Sequence, residues 1–136
     1  MSLSYRARNT FFILLGVTGL ILKSQYSGPF SDVVLSYGGN LSASFAVYFI
    51  VRLTVAVVRL NRVASAVIAL LIVELFEATN GFGVMTNTYD PFDFLANALA
   101  VALAVAVDVF ASHVSRSVDR SIRVVDRDAP HQPNAG

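Results

Sequence analysis

The stretch PFDFLANALAVALAVAVDV, residues 91–109, decides the fold because it is almost entirely apolar over the length of a membrane crossing. At about 1.5 Å of rise per residue, a helix of this length spans roughly 28 Å, close to the hydrocarbon thickness of about 30 Å. Pro91 stands at the first helical position, where its missing N–H costs nothing. We therefore predict a transmembrane helix over residues 91–110.

Three further apolar blocks precede this helix. We predict transmembrane helices over about 9–26, 41–58 and 63–79. Charged residues make up 14% of the chain, against about 25% in soluble domains, and the mean hydropathy is +0.63. The expected fold is all-α: a four-helix transmembrane domain over residues 1–115, followed by a basic tail over residues 116–136.

Composition also excludes several function classes. The chain has no cysteine, which rules out disulfides, thiolate metal sites and cysteine nucleophiles. Its two histidines, His113 and His131, lie in or near the tail, and no metal site or cofactor is expected. A formal net charge of +1 gives no indication of a nucleic-acid partner.

The arginines predict the orientation of the bundle. They flank the first helix at its start, link the second helix to the third, and follow the fourth helix, whereas the two opposite loops hold only Lys23. The positive-inside rule then places both termini in the cytoplasm of a multi-pass cell-membrane protein. Residues 28–39 are expected to lie along the outer surface, since their apolar run is too short to cross.

The tail carries an arginine repeat with helical spacing. Steps of four, three and four residues put these side chains on one face of a short amphipathic helix. We expect that face to contact anionic membrane lipid or a partner protein. The residues are Arg116, Arg120, Arg123 and Arg127.

A polar group gathers where the third helix ends and the fourth begins. Its members are Glu74, Glu77, Asp90, Asp93 and Asn97. Pairs spaced by three or four residues share a helix face, and the helical rise puts the two pairs at matching depths. The acids nearest the interface are also compatible with plain solvation and helix-dipole stabilisation, without any function. Glu74 lies about 9 Å inside the apolar layer, so we expect Arg52 to pair with it.

These residues resemble a known family. The motif E74-L-F-E77 followed by D90-P-F-D93-F-L-A-N97 is similar to the signature of VanZ-like membrane proteins, and residues 38–53 resemble the second helix of related four-helix bacterial membrane proteins. Glu77 stands where the family has Gln, and Asn40 where it usually has Asp. The resemblance implies a small integral membrane protein and no established catalytic residue. The best-known relative is linked to glycopeptide antibiotic resistance.

Three function classes stay open at this point, and the sequence favours two of them. An outward-facing polar pocket would bind the head group of an envelope lipid or glycolipid. Alternatively, the chain is a non-catalytic accessory subunit that contacts other transmembrane subunits through helix 91–110, whose small residues permit close packing. An enzyme or proton-coupled transporter is disfavoured, because the apolar segments contain no histidine and no inverted repeat of broken helices.

Overall fold

The computed structural model describes residues 3–54, 60–79 and 90–128. Over these residues the chain forms four α-helices and one short 3-10 helix, with no strand. The all-α prediction is confirmed for this part of the chain. The backbone contacts divide the chain into two compact units, Met1–Val105 and Ala106–Gly136, whereas the sequence predicted a boundary after residue 115.

The helix bounds differ from those expected at several ends. Helix α1 is Leu3–Leu22 and is followed by the 3-10 helix Lys23–Gln25; α2 is Ser31–Thr54, α3 is Arg62–Ala78 and α4 is Pro91–Asp128. Helix α3 thus lies within one residue of the predicted 63–79, and α4 begins at the predicted proline. Helix α4 then continues to Asp128, so the arginine repeat belongs to this long helix and not to a separate short one.

Helix α2 starts well before the predicted residue 41. The segment that was expected to lie on the outer surface, residues 28–39, contains the first turns of α2 from Ser31 onward. The adjacent glycines Gly38 and Gly39 do not interrupt the helix, because a helical glycine costs only about 1 kcal/mol relative to alanine. The predicted end of this helix at residue 58 lies outside the described residues.

Side-chain caps fix the starts of α3 and α4. The Asn61 side chain accepts a hydrogen bond from the Ala64 backbone N–H at 2.8 Å, and Asp90 Oδ1 accepts one from the Phe92 N–H at 2.9 Å. Each cap satisfies a backbone donor that has no partner within its helix. Asp90 therefore has a structural role whatever else it does.

Helices α1 and α2 pack in opposite directions against each other. An aromatic group joins them, with the Phe12 and Phe49 rings stacked at 4.7 Å between centroids. Nearby, the backbones approach so closely that a Cβ on Gly16 would lie 2.8 Å from the carbonyl oxygen of Ser42. The side-chain contacts run from Tyr5 with Arg52 at one end to Lys23 with Gly39 at the other.

Helix α2 and the first part of α4 run parallel to each other. Tyr37 donates to Asp90 and Ser44 donates to Asn97, and both pairs are separated by 53 residues in the chain. A constant separation over two turns of helix means that the two chains advance in the same direction. The intervening α3 runs the opposite way, since its Arg62 end lies with the end of α2, where Arg52 donates to Ser65.

Buried polar side chains and exposed large apolar side chains both occur in the bundle, beside a buried apolar core. Several polar side chains are buried, namely those of Asn9, Ser44, Ser65, Asp93, Asn97 and Asp108. Large apolar side chains on every helix are exposed, for example Leu71 at 64% and Val63 at 72%. Among the described residues, two helices are long and apolar enough to cross a membrane: Ser31–Thr54 and Pro91–Val118.

Candidate functional site

Polar side chains from three helices meet near the start of α2 and α4 and the end of α3. We call this group the polar cluster; it comprises Lys23, Tyr37, Asn40, Ser44, Glu74, Glu77, Asp90, Asp93 and Asn97. All five polar residues predicted from the α3–α4 sequence belong to it. The other four come from the 3-10 helix Lys23–Gln25 and from α2.

Asn97 is the centre of the cluster. Its side chain is only 3% exposed, and its Oδ1 accepts a hydrogen bond from the Ser44 hydroxyl at 2.7 Å. The amide nitrogen is then left to donate, and the carboxyl group of Glu74 lies within its hydrogen-bonding range. One amide thus joins α2, α3 and α4.

One of the two carboxyl oxygens of Glu74 has no hydrogen-bond partner. Its side chain is half-buried, and Oε2 is inaccessible to solvent and has no hydrogen-bond partner in the protein. A buried polar atom without a partner costs about 1–3 kcal/mol in a folded protein. Glu74 Oε2 is thus an acceptor without a donor inside the bundle.

Asp93 connects the two ends of the cluster. It is 6% exposed, and the side chains of Asn40 and Glu77 lie within hydrogen-bonding range of its carboxyl group. A hydrogen bond between two carboxyl groups requires a proton on one of them, so Asp93 and Glu77 share a proton when that bond forms. The charge of Lys23 also acts on Asp93.

Lys23 reaches the cluster because Gly39 has no side chain in its way. Gly39 is buried, and a Cβ at this position would collide with Lys23 Nζ and lie 3.2 Å from Cε. The missing side chain therefore makes room for the lysine next to Asn40. The cluster holds four carboxyl groups and this one ammonium group, and an acidic character results.

Asp90 stands at the edge of the cluster. While one carboxylate oxygen caps α4, Oδ2 accepts from the Tyr37 hydroxyl at 3.3 Å. Both Asp90 and Tyr37 are half-buried. The pair therefore closes one side of the cluster and ties the first turns of α2 and α4 together.

Sequence reasoning missed Lys23, Tyr37, Asn40 and Ser44 as members. A signal was present, because Tyr37, Asn40 and Ser44 are spaced by three and four residues and so share one face of a helix. That pattern was hidden by the expectation that α2 begins at residue 41, which divided the three between a surface loop and a helix.

Arg52 contacts groups other than the expected Glu74. Its NH1 donates to the Leu60 carbonyl at 3.3 Å and to the Ser65 hydroxyl at 3.4 Å. Ser65 and Glu74 are nine residues apart on α3, or about 13 Å along its axis, so Arg52 is held at the other end of the bundle. The guanidinium group also lies 5.9 Å from the centre of the Tyr5 ring, and the Tyr5 hydroxyl donates to the Arg52 carbonyl.

The structure describes the side chains of two of the four tail arginines. Arg116 and Arg120 are exposed, and Arg116 Nε donates to the Ser112 carbonyl one turn earlier. The side chains of Arg123 and Arg127 lie outside the described residues. In the same unit, Asp108 is fully buried and its backbone carbonyl accepts from the Ser112 hydroxyl at 2.7 Å.

The polar cluster combines hydrogen-bond acceptors with a smaller number of donors. It contains four carboxyl groups, two amides, two hydroxyls and one ammonium group. Over the described parts of the chain, no three His, Cys, Asp or Glu residues are arranged to hold a metal ion. Recognition of a donor-bearing group is the chemistry that these residues fit.

Comparison with protein-family models, with curated proteins and with solved structures finds no match to this chain. The resemblance to VanZ-like proteins therefore depends on the quoted residues alone.

Proposed function

We propose that this chain is a VanZ-like integral membrane protein whose polar cluster faces outward and binds the head group of an envelope lipid or glycolipid. In this proposal the four helices cross the cell membrane and both termini are cytoplasmic. The observation that carries the proposal is the junction at Asn97, which joins Ser44 on α2 to Glu74 on α3 while Glu74 Oε2 has no partner.

The extensive exposure of large apolar side chains supports a lipid environment. Only 28% and 33% of the apolar windows of α2 and α4 are buried, whereas a core helix of a soluble protein is mostly buried. Leaving so much apolar surface in water is unfavourable by about 25 cal/mol per Å². Hydrocarbon around the bundle removes that cost, and buried side chains such as Ser44 and Asn97 are hydrogen-bonded to each other inside it.

Helix direction supports four crossings. Helices α2 and α4 run parallel, so the chain must return between them, and α3 is the element available for that return. Its 17 residues span about 25 Å, enough for a thin or locally adjusted bilayer. The arginines at the Arg52 end of the bundle then assign that end to the cytoplasm by the positive-inside rule.

Single-cysteine labelling tests this topology cleanly, because the natural chain has no cysteine. Ser24→Cys and Ser117→Cys are nearly isosteric changes at exposed positions. In intact cells a membrane-impermeant maleimide should modify the first variant, and it should modify the second only after permeabilisation. Labelling of both from the same side would contradict four crossings with cytoplasmic termini.

Lipid copurification tests the head-group site. Wild-type protein, Glu74→Gln and Asp93→Asn are purified in mild detergent, and bound lipid is measured by native mass spectrometry. Asp32→Asn is the matched control, since Asp32 is an exposed acid on α2 outside the cluster. We expect both cluster variants to lose lipid while their helicity by circular dichroism is retained, and the control to behave as wild type.

Two outcomes of this experiment would contradict the proposal. Equal lipid retention in all four proteins would remove the head-group site. A stoichiometric protein partner from native membranes, together with unchanged lipid, would favour the accessory-subunit alternative. On α4, Ala96, Ala100 and Ala104 are buried within this chain, whereas Ala102 and Ala106 are exposed and available for such a contact.

A further inference from the structure

An apolar groove runs beside the polar cluster, between α2 and α4. It has a volume of about 410 Å³ and is lined by Tyr37, Leu41, Phe92, Leu95, Ala96 and Leu99. Apart from the tyrosine hydroxyl, these side chains offer no hydrogen-bonding group. The groove is therefore suited to a hydrocarbon chain.

The groove is continuous with the cluster at one end. The ring of Tyr37 lines it, and the hydroxyl of the same residue donates to Asp90 at 3.3 Å. From Phe92 to Leu99 the lining follows α4 for about 10 Å below that contact, by the helical rise. A molecule whose polar end lies on the cluster would have its apolar end directed along this groove.

The charge of the polar cluster determines which lipid head groups it attracts. The cluster contains four carboxyl groups, and the nearest cation is Lys23, which lies against Gly39. Even with one proton shared between Asp93 and Glu77, the formal charge is negative. An ammonium head group is attracted to this surface, whereas an anionic glycerol or cardiolipin head group is repelled.

Building on the proposed function, we propose that the groove holds one acyl chain of a phospholipid whose head group bears an ammonium. The ammonium donates to the carboxyl groups of the cluster, of which Asp90 adjoins the groove through its contact with Tyr37, and the acyl chain covers the groove. This assigns the class of lipid, zwitterionic with a primary amine, that the polar cluster recognises.

Tryptophan fluorescence provides the test, because the natural chain contains no tryptophan. Leu99→Trp puts a reporter in the groove. Leu71→Trp is a depth-matched control on α3: Leu71 is six residues from Glu77, Leu99 is six residues from Asp93, and those two carboxyl groups are neighbours. The two leucines are similarly exposed, at 64% and 58%.

The full chain is reconstituted in phosphatidylcholine vesicles that contain a fixed fraction of brominated phosphatidylethanolamine or brominated phosphatidylglycerol. Bromine quenches a nearby tryptophan, so quenching reports local lipid occupancy. We expect the Leu99→Trp reporter to favour the ethanolamine lipid by about fivefold, the preference expected of about one charge interaction at a membrane surface. The control should show no preference.

Two further variants make the outcome decisive. Adding Glu74→Gln to Leu99→Trp should abolish the preference, and Leu95→Trp serves as the second groove reporter if Leu99→Trp lowers helicity. Equal quenching by both lipids at the groove, stronger quenching by the glycerol lipid, or no quenching at the groove would each overturn the inference. If lipid copurification still depends on Glu74 in that case, only the groove assignment fails and the head-group site stands.

Discussion

The hydrogen bond between Ser44 and Asn97 offers the sharpest test of how the site is built. It joins α2 to α4 at 2.7 Å between two side chains that are 1% and 3% exposed. We consider the single variants Ser44→Ala and Asn97→Ala and the corresponding double variant. Because Asn97 also serves the carboxyl group of Glu74, its replacement should be the more destabilising of the two.

The expected coupling energy follows from the interactions that each variant loses. Interhelical hydrogen bonds in membrane proteins contribute about 0.6 kcal/mol on average and up to about 1.7. A short, fully buried bond belongs in the upper half of that range, so the coupling energy from the double-mutant cycle should be about 1 kcal/mol. The extra cost to Glu74 appears in both Asn97→Ala and the double variant, and it therefore cancels from the coupling.

The assay is reversible unfolding in detergent micelles titrated with sodium dodecyl sulfate, followed by circular dichroism because the chain has no tryptophan. Ser36→Ala is the matched control: it removes an exposed hydroxyl from the same helix, and it should not couple to Asn97→Ala. A Ser44–Asn97 coupling no larger than that of the control pair would refute the contact, and with it the parallel arrangement of α2 and α4.

Three further predictions concern other parts of the bundle. Gly16→Ala should lower the free energy of unfolding by about 1–3 kcal/mol, because its Cβ would lie 2.8 Å from a backbone oxygen of α2; Gly38→Ala, whose nearest contact is 3.5 Å, should be neutral or stabilising by up to about 1 kcal/mol. Equal effects of the two in the same titration would argue against close packing of α1 on α2. Asp90→Ala should lose about 1 kcal/mol of stability with the cap of α4, whereas Asp90→Asn should keep the cap and reduce only lipid copurification; loss of stability in both would assign Asp90 a charge-dependent structural role. Arg52→Leu should cost about 1–3 kcal/mol, since the Leu60 carbonyl and the Ser65 hydroxyl lose a charged donor, and unchanged stability would show that these contacts contribute nothing.

Helix α2 illustrates where local sequence signals end. The glycine pair at residues 38 and 39 was interpreted as the boundary of a surface segment, yet the helix runs from Ser31 through both residues. Within a helix, a glycine lowers the stability but does not end the helix. Gly39 is needed here because the side chain of Lys23, sixteen residues earlier in the chain, fills the space that a Cβ on Gly39 would take. No local pattern around Gly39 contains that information.

The sequence by itself determined the all-α class, the start of α4 at Pro91 and the bounds of α3 to within one residue, because apolar run length and helix caps are local properties. It also predicted that Glu74 and Glu77 lie near Asp93 and Asn97. Helical spacing and the short connection between α3 and α4 limit how far apart these residues can be along the helix axes. Tertiary structure alone decided what completes the cluster and which groups pair. Arg52 was expected beside Glu74 on an estimate of depth, but the offset between α2 and α3 directs it to Ser65. Such an offset is set by side-chain packing between helices, and residue spacing along one chain does not encode it.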